Sequence, residues 1–305
     1  MSTEYIHFTA EQKEAARQTD LVALLQSQGE RLKRSGKEYV WRDGSEKVTV
    51  RGNLWFHQYE RIGGDAVDFV RRFYNMDFPQ AVNFLLGNNG GALPQAEPVK
   101  REPPKPFTLP PKNDNMRRVY AYLLNRRGID REVLSAFVHK GMIYESADYH
   151  NAVFVGYDEH GIARHAHKRG TGSESTYKGN AESCDPRYSF HWTGTDSTLY
   201  LFEAPIDMLS FISLHKENWR SHSYAAACCV GDQVLFQMLK ANPNINTVCL
   251  CMDNDAAGQA ANKRISDKLF IQGIKHEVLV PKLKDWNEDL LCDEQEETEC
   301  QTLQL

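Results

Sequence analysis

Apolar positions along the chain change period several times, and the changes divide it into parts. In "TDLVALLQSQG" (19–29) they fall at helical spacing, with Thr19 or Asp20 as N-cap and Gly29 as stop. "KEYVWRD" and "KVTVRGNLWFHQY" then alternate with period two, interrupted by "GS" and "GN", and predict hairpin strands. Within "GGDAVDFVRRFYNMDFPQAVNFLLG", Val67, Phe69, Val70 and Phe73 define one helix face. Ala81, Val82, Leu85 and Leu86 define another. Residues 1–87 are therefore expected to form a small α+β domain.

Periodicity stops over Gly87–Asn115, which holds seven prolines and three glycines. This composition predicts a semi-extended linker over 88–115. Residues 116–198 read as a subdomain of two short helices, "MRRVYAYLLNRRGIDREVLSAFVHKG", and a hairpin, "NAVFVGYDEHGIARHAHKRG", turning at Asp158–Gly161. From 199 to 291, short apolar runs ("TLYLFEA", "SYAAACCVG", "TVCLCMD", "KHEVLVP") are interleaved with helical segments. That alternation predicts an α/β fold with a doubly wound, largely parallel sheet. "CDEQEETECQTLQL" (292–305) reads as a disordered acidic tail.

Charge adds a gradient. Residues 1–120 carry 18 Lys+Arg against 15 Asp+Glu, whereas residues 199–305 carry 9 against 16. A mildly basic front and an acidic back suit a nucleic-acid-touching module joined to a cation-binding one. All seven cysteines lie at or beyond residue 184 and no CxxC pair occurs, which points to reduced thiols and against a cysteine-based zinc site. No apolar run approaches the ~20 residues of a membrane span, and the polar N-terminus does not read as a signal peptide, so a cytoplasmic protein without a membrane partner is expected.

Ligands of doubly wound sheets gather beyond the carboxyl ends of the strands. Glu203 ends the first strand there, Asp253 and Asp255 end the third, and Asp285 and Asp289 follow the fourth. Converging carboxylates repel one another unless protonated or bridged by a cation, and magnesium prefers such hard oxygen ligands. Each residue has a plainer reading: Asp255 as a helix cap, Asp207 as a first-turn acid behind Pro205, Asp285 and Asp289 as solvated loop charges.

Taken together, residues 199–291 resemble a Toprim domain. "LFEAPIDMLSF" matches its glutamate motif, "CMDNDAAGQAA" its DxD motif, and "KDWNEDL" its closing acidic motif. The resemblance implies Glu203, Asp253 and Asp255 as catalytic residues, and Mg²⁺ or Mn²⁺ held by Asp253 and Asp255 with Asp285 and Glu203 beside them. "NAVFVGYDEHGIARHAHKRG…STYKGN" resembles the segment before the Toprim core of bacterial replicative primases, implying nucleic-acid contact by Arg164, Lys168, Arg169 and Lys178. The front resembles the zinc-binding domain of those primases in its order of elements. Where that family has cysteines this chain has "WFHQYERIGGD", and residues 1–183 hold none. A zinc-ribbon-like domain without zinc is expected, held by Tyr39, Trp41, Trp55, Phe56 and Tyr59. These aromatics, with Arg42, Arg51 and Arg61, could alternatively stack on bases.

The resemblance implies a primase-like enzyme of a mobile element or phage, joining nucleotides on single-stranded DNA, with a helicase or relaxase of the same element as partner. No P-loop GxxxxGK[ST] occurs. The alternatives are a Toprim nuclease cutting DNA or RNA, and a non-catalytic nucleic-acid-binding accessory factor. A dehalogenase-like phosphatase would carry its DxD on the first strand.

Overall fold

The computed structural model describes residues 8–43, 46–58, 60, 62–87, 94–96, 105–228 and 231–293. It divides into two compact units, Met1–Pro103 and Pro104–Leu305, at a boundary inside the expected linker.

In the first unit, helix α1 (Ala10–Arg17) is capped by Thr9 and α2 (Leu21–Ser27) by Asp20, whose carboxylate accepts from the amides of Val22 and Ala23. Five antiparallel strands follow in sequential order: β1 (Lys33–Ser35), β2 (Glu38–Asp43), β3 (Glu46–Arg51), β4 (Leu54–His57) and β5 (Gly63–Gly64). Helices α3 (Ala66–Phe73) and α4 (Phe78–Leu85) close the core, each opened by an aspartate capping box. Trp41, Val48, Val50, Trp55 and His57 face inward along the strands, as period two requires. Phe73 sits among Trp41 and Trp55, at ring centroid distances of 5.2 Å from each, and Phe69 at 4.7 Å. His57 is buried and stacks on Phe73, its Nδ1 accepting from the amide of Glu60. Rings thus fill the strand ends of this unit. Phe56 faces outward, while Tyr59 and Arg61 lie outside the described residues.

The second unit begins with a chain segment that is extended yet docked. The bridge Lys112↔Ser146 and the bond from Tyr144 Oη to the Pro110 carbonyl (2.6 Å) tie 105–115 to its neighbours. Helix α5 (Arg117–Tyr120) runs on through a π-helical turn (Ala121–Arg126), and α6 (Arg131–His139) is capped by Asp130. Strands β6 (Ile143–Glu145), β7 (Ala152–Tyr157), β8 (Ala163–Arg169) and β9 (Lys178–Asn180) form an antiparallel sheet in that order.

The second sheet has the order β10-β12-β11-β13-β14: β10 (His191–Trp192), β11 (Thr198–Phe202), β12 (Ser223–Ala226), β13 (Thr247–Cys251), β14 (Lys275–Val278). All neighbours are parallel except the edge strand β10. Crossovers α7 (Pro205–Leu214), α8 (Gln233–Ala241) and α9 (Ala256–Ile271) join them. A last helix, α10, runs over 286–293. Side chains of each strand alternate between two cores. Leu199, Leu201, Val248 and Leu250 pack with α8 and α9, and Phe202, Cys249 and Cys251 pack with α7 and the preceding subdomain. Cys249 and Cys251 are core residues of one strand face, as their alternation suggests.

Candidate active site at the carboxyl edge of the parallel sheet

From β11 the chain crosses to β12 on one side, then returns to β13 on the other. The carboxyl ends of β11 and β13 therefore flank the point where winding reverses, the usual place for a ligand crevice. Phe202 and Cys251 are paired there, so Glu203 and Asp253 emerge from adjacent strand ends. A small cavity of about 180 Å³ lies between them, with Asp207, Asp285, Lys178 and Arg169 also on its wall.

Each acid is placed by a local device. Asp253 sits in a tight turn against the start of α9, where Gly258 approaches so closely that a Cβ would stand 2.0 Å from the Asp253 carbonyl oxygen. Asp255 accepts from the amides of Ala257 and Gly258 at 2.9 Å, so the helix-cap reading describes one of its oxygens. Asp285 accepts from the Glu288 amide, opening α10. Next to it, Trp286 donates from Nε1 to the Cys251 carbonyl at 3.0 Å, locking the closing motif onto the end of β13. Asn254 adds a second tie through the Lys284 carbonyl. Asp289 accepts from the amides of Lys282 and Leu283 and shapes the loop.

Electrostatically the cluster is under strain. Burial and the neighbouring Glu203, Asp285 and Asp255 push the Asp253 carboxyl up to about 7, offset in part by Lys178. Its Oδ1 is buried with no hydrogen-bond partner among the described residues. Burial raises Glu203 as well, with Lys178 opposing the shift. Asp207, only 7% exposed on a helix whose other residues are mostly apolar, is driven well above the ordinary aspartate value by burial and by Asp253, Asp285 and Glu203. Four carboxyl groups thus share a site where protein groups leave an oxygen of the central one unsatisfied.

Sequence reasoning left Asp207 as a first-turn acid. Its signal was an aspartate four residues beyond Glu203 in a run, "PIDMLSFISL", that is otherwise nearly all apolar.

A hard divalent cation fits this donor set: oxygen ligands only, one orphaned carboxylate oxygen, and like charges that a dication would neutralise. Among the described residues no three His, Cys, Asp or Glu side chains close into a preformed cage. Magnesium commonly takes just one or two protein carboxylates and completes its octahedron from water and phosphate.

The four basic residues of the hairpin part company. Arg169 and Lys178, opposite one another in β8 and β9, both line the acidic cavity. Lys168 points to the other face of the strand, its Nζ 5.7 Å from the Tyr177 ring centre, and Arg164 is held by Asp158 at 2.7 Å beside the hairpin turn. His167 shares the Arg169 face but is buried, hydrogen-bonded to Asn180, and pushed by desolvation to about 4, so it is a neutral packing residue. Further cations were not evident from the sequence. Arg127 lines the cavity, donating from Nη1 to Asn287 Oδ1 and from Nε to Tyr122 Oη, which also accepts from Arg169 Nε at 3.3 Å. Lys284 completes the wall.

A Toprim-like family model matches residues 200–290, and a model described as a protein of unknown function (DUF3991) matches 121–196. A curated relative is an uncharacterized protein, pXO2-78, of Bacillus anthracis, 26% identical over 85% of this chain and 79% of its own length. Similar solved structures include the primase fragment of the bacteriophage T7 primase-helicase protein. It is 20% identical with a TM-score of 0.44, over 59% of this chain and 73% of that one. The Aquifex aeolicus primase, zinc-binding and RNA polymerase domains, is 16% identical with a TM-score of 0.39 over 96% and 84%. The E. coli primase catalytic core is 16% identical with a TM-score of 0.41 over 59% and 69%. Residues 200–290 form a Toprim-like domain, in a mixed α/β fold with a largely parallel sheet.

Proposed function

We propose that this chain is a primase-like nucleotidyltransferase acting on single-stranded DNA, with its chemistry at the Glu203–Asp253 cavity. The observation that carries the reading is the unsatisfied, buried Oδ1 of Asp253 amid acidic neighbours, ringed by Arg127, Arg169, Lys178 and Lys284. Asp253 would hold Mg²⁺ or Mn²⁺, with Asp255, Asp207, Asp285 and Glu203 around it. Such a cation, when bound, supplies Lewis acidity toward phosphoryl oxygens. The chain's own groups do the rest. Arg169 and Lys178 offer charge to a nucleotide's phosphates, and the shared Tyr122 hydroxyl keeps Arg127 and Arg169 side by side. Glu203, whose carboxyl burial pushes above the ordinary glutamate value, is placed to exchange a proton with the attacking or leaving oxygen.

Template-directed joining is favoured over strand cutting by the resemblance of residues 151–180 to the pre-Toprim segment of replicative primases. The likeness to primases also supports reading the activity as part of replication of a mobile element or phage, with a helicase or relaxase presenting the strand.

The test is incubation with single-stranded DNA, labelled nucleoside triphosphates and Mg²⁺, for the natural chain and for Asp253→Asn. New oligomers lost in the variant support the proposal. Shortened DNA identifies a nuclease, and binding without turnover an accessory factor.

A further inference from the structure

The hairpin also borders an opening larger than the acidic cavity. A second cavity of about 580 Å³ lies on the Lys168 face of β8, walled by Tyr149, Tyr177, Arg118, Lys168 and Asn151. Three features of it bear on what it could hold.

Tyr149 is 88% exposed and, with His150, adopts left-handed backbone (φ of 61° and 54°), a conformation that residues with side chains avoid. The loop is pinned in that shape. His150 Nδ1 meets the buried Glu145 carboxylate at 2.7 Å, the Thr171 hydroxyl donates to the His150 carbonyl, and the Asn151 amide donates to Ser146 Oγ. Strained backbone of this kind clusters at ligand clamps, and here it holds an aromatic ring out in solvent. Secondly, Asn151 lines the cavity, and no protein group hydrogen-bonds its carboxamide among the described residues. Its one acceptor and two donors are therefore free to meet a ligand there. Thirdly, the cations Arg118 and Lys168 stand on the same wall as the two tyrosines.

The geometry points to this cavity as a reading pocket for one base splayed out of a single strand, stacked on a tyrosine, with Asn151 on its edge and Arg118 and Lys168 toward its phosphates. A carboxamide offers one acceptor and two donors, the complement of adenine's N6 and N7, so an adenine is the favoured occupant. Base–aromatic stacking supplies affinity for any base, and the carboxamide supplies the choice among them. The inference rests on the nucleic-acid part of the proposed function but not on its chemistry, because binding here needs no cation in the acidic cavity.

The experiment measures binding of labelled dT strands of about 12 nucleotides, with or without one central dA, dC or dG, by fluorescence anisotropy in EDTA. The natural chain should prefer the dA strand by roughly tenfold. Asn151→Ala, which removes no internal hydrogen bond, should level that preference while retaining the natural circular dichroism spectrum. Tyr149→Ala should weaken all strands by roughly fivefold or more without reordering them. Asp253→Asn should keep the preference, so failed turnover and a failed pocket are separate results. The pocket is overturned if Asn151→Ala keeps the natural ranking, if the natural chain shows none, or if free dAMP binds as tightly as the strand.

Discussion

The core of the first unit and the carboxyl edge of the parallel sheet solve the same local problem in opposite ways. Each must fill space where loops leave strand ends. In the first unit, Trp41, Trp55, Phe69, Phe73 and His57 pack ring on ring, and both indole N–H groups find acceptors, Glu30 and the Asp65 carbonyl. At the sheet edge Glu203, Asp207, Asp253 and Asp285 crowd together, and an oxygen of Asp253 is left unsatisfied. A satisfied aromatic cluster is explained by stability alone. A cluster whose members raise one another's pKa costs stability, a cost that a bound cation would offset.

The contrast breaks most visibly under Asp253→Asn. Turnover should fall by about 100-fold or more, because the proposed cation site centres on this residue. The metal-free protein should nevertheless melt a few degrees higher, as one repelling charge is gone, a paired readout from activity assay and thermal denaturation. Phe69→Ala should do the reverse kind of damage. Removing a fully buried ring costs roughly 3–5 kcal/mol of the first unit's stability, read by urea unfolding, while the cation binding proposed for the acidic cavity should be unchanged.

Gly258→Ala probes positioning. The added methyl must push the Asp253 turn away, so turnover should fall roughly tenfold or more while stability drops by about 1–3 kcal/mol.

A smaller effect is expected from pH. Asp253 and Asp207 both have folded values above their unfolded ones, so the native chain binds more protons than the unfolded chain between 3.8 and about 7 for Asp253. Stability therefore falls as pH rises through that window, and the loss is complete above it. Melting temperatures without cation should drop across it by a few degrees, and millimolar Mg²⁺ should restore them at pH 8 but hardly at pH 5.

Much of this layout was legible in the chain. Period-two alternation and Gly/Pro punctuation marked the strands, and the DxD and glutamate motifs marked the strand ends that meet at the winding reversal. The small helix Ala10–Arg17 was not, because it buries only Ala16 and so has no apolar stripe. Alternation separates Lys168 from Arg169, but which face of the hairpin meets the acids is set by how its sheet packs on Phe190 and the helices, a long-range matter. Arg127 and Asn287 are 160 residues apart and joined by two hydrogen bonds, a pairing no local pattern announces. Asp255 shows that a plain role and a functional one can belong to one side chain: it caps α9 while its charge acts on Asp253.

The central claim is that the acidic edge is a cation site centred on Asp253. Calorimetric titration of the whole chain with Mn²⁺ near pH 6.5, in two buffers of different ionisation enthalpy, measures both the binding and the protons it displaces. The account predicts saturable binding that releases about one proton, with both signals lost in Asp253→Asn. Binding that persists undiminished in the variant, or no binding to the natural chain, would contradict it.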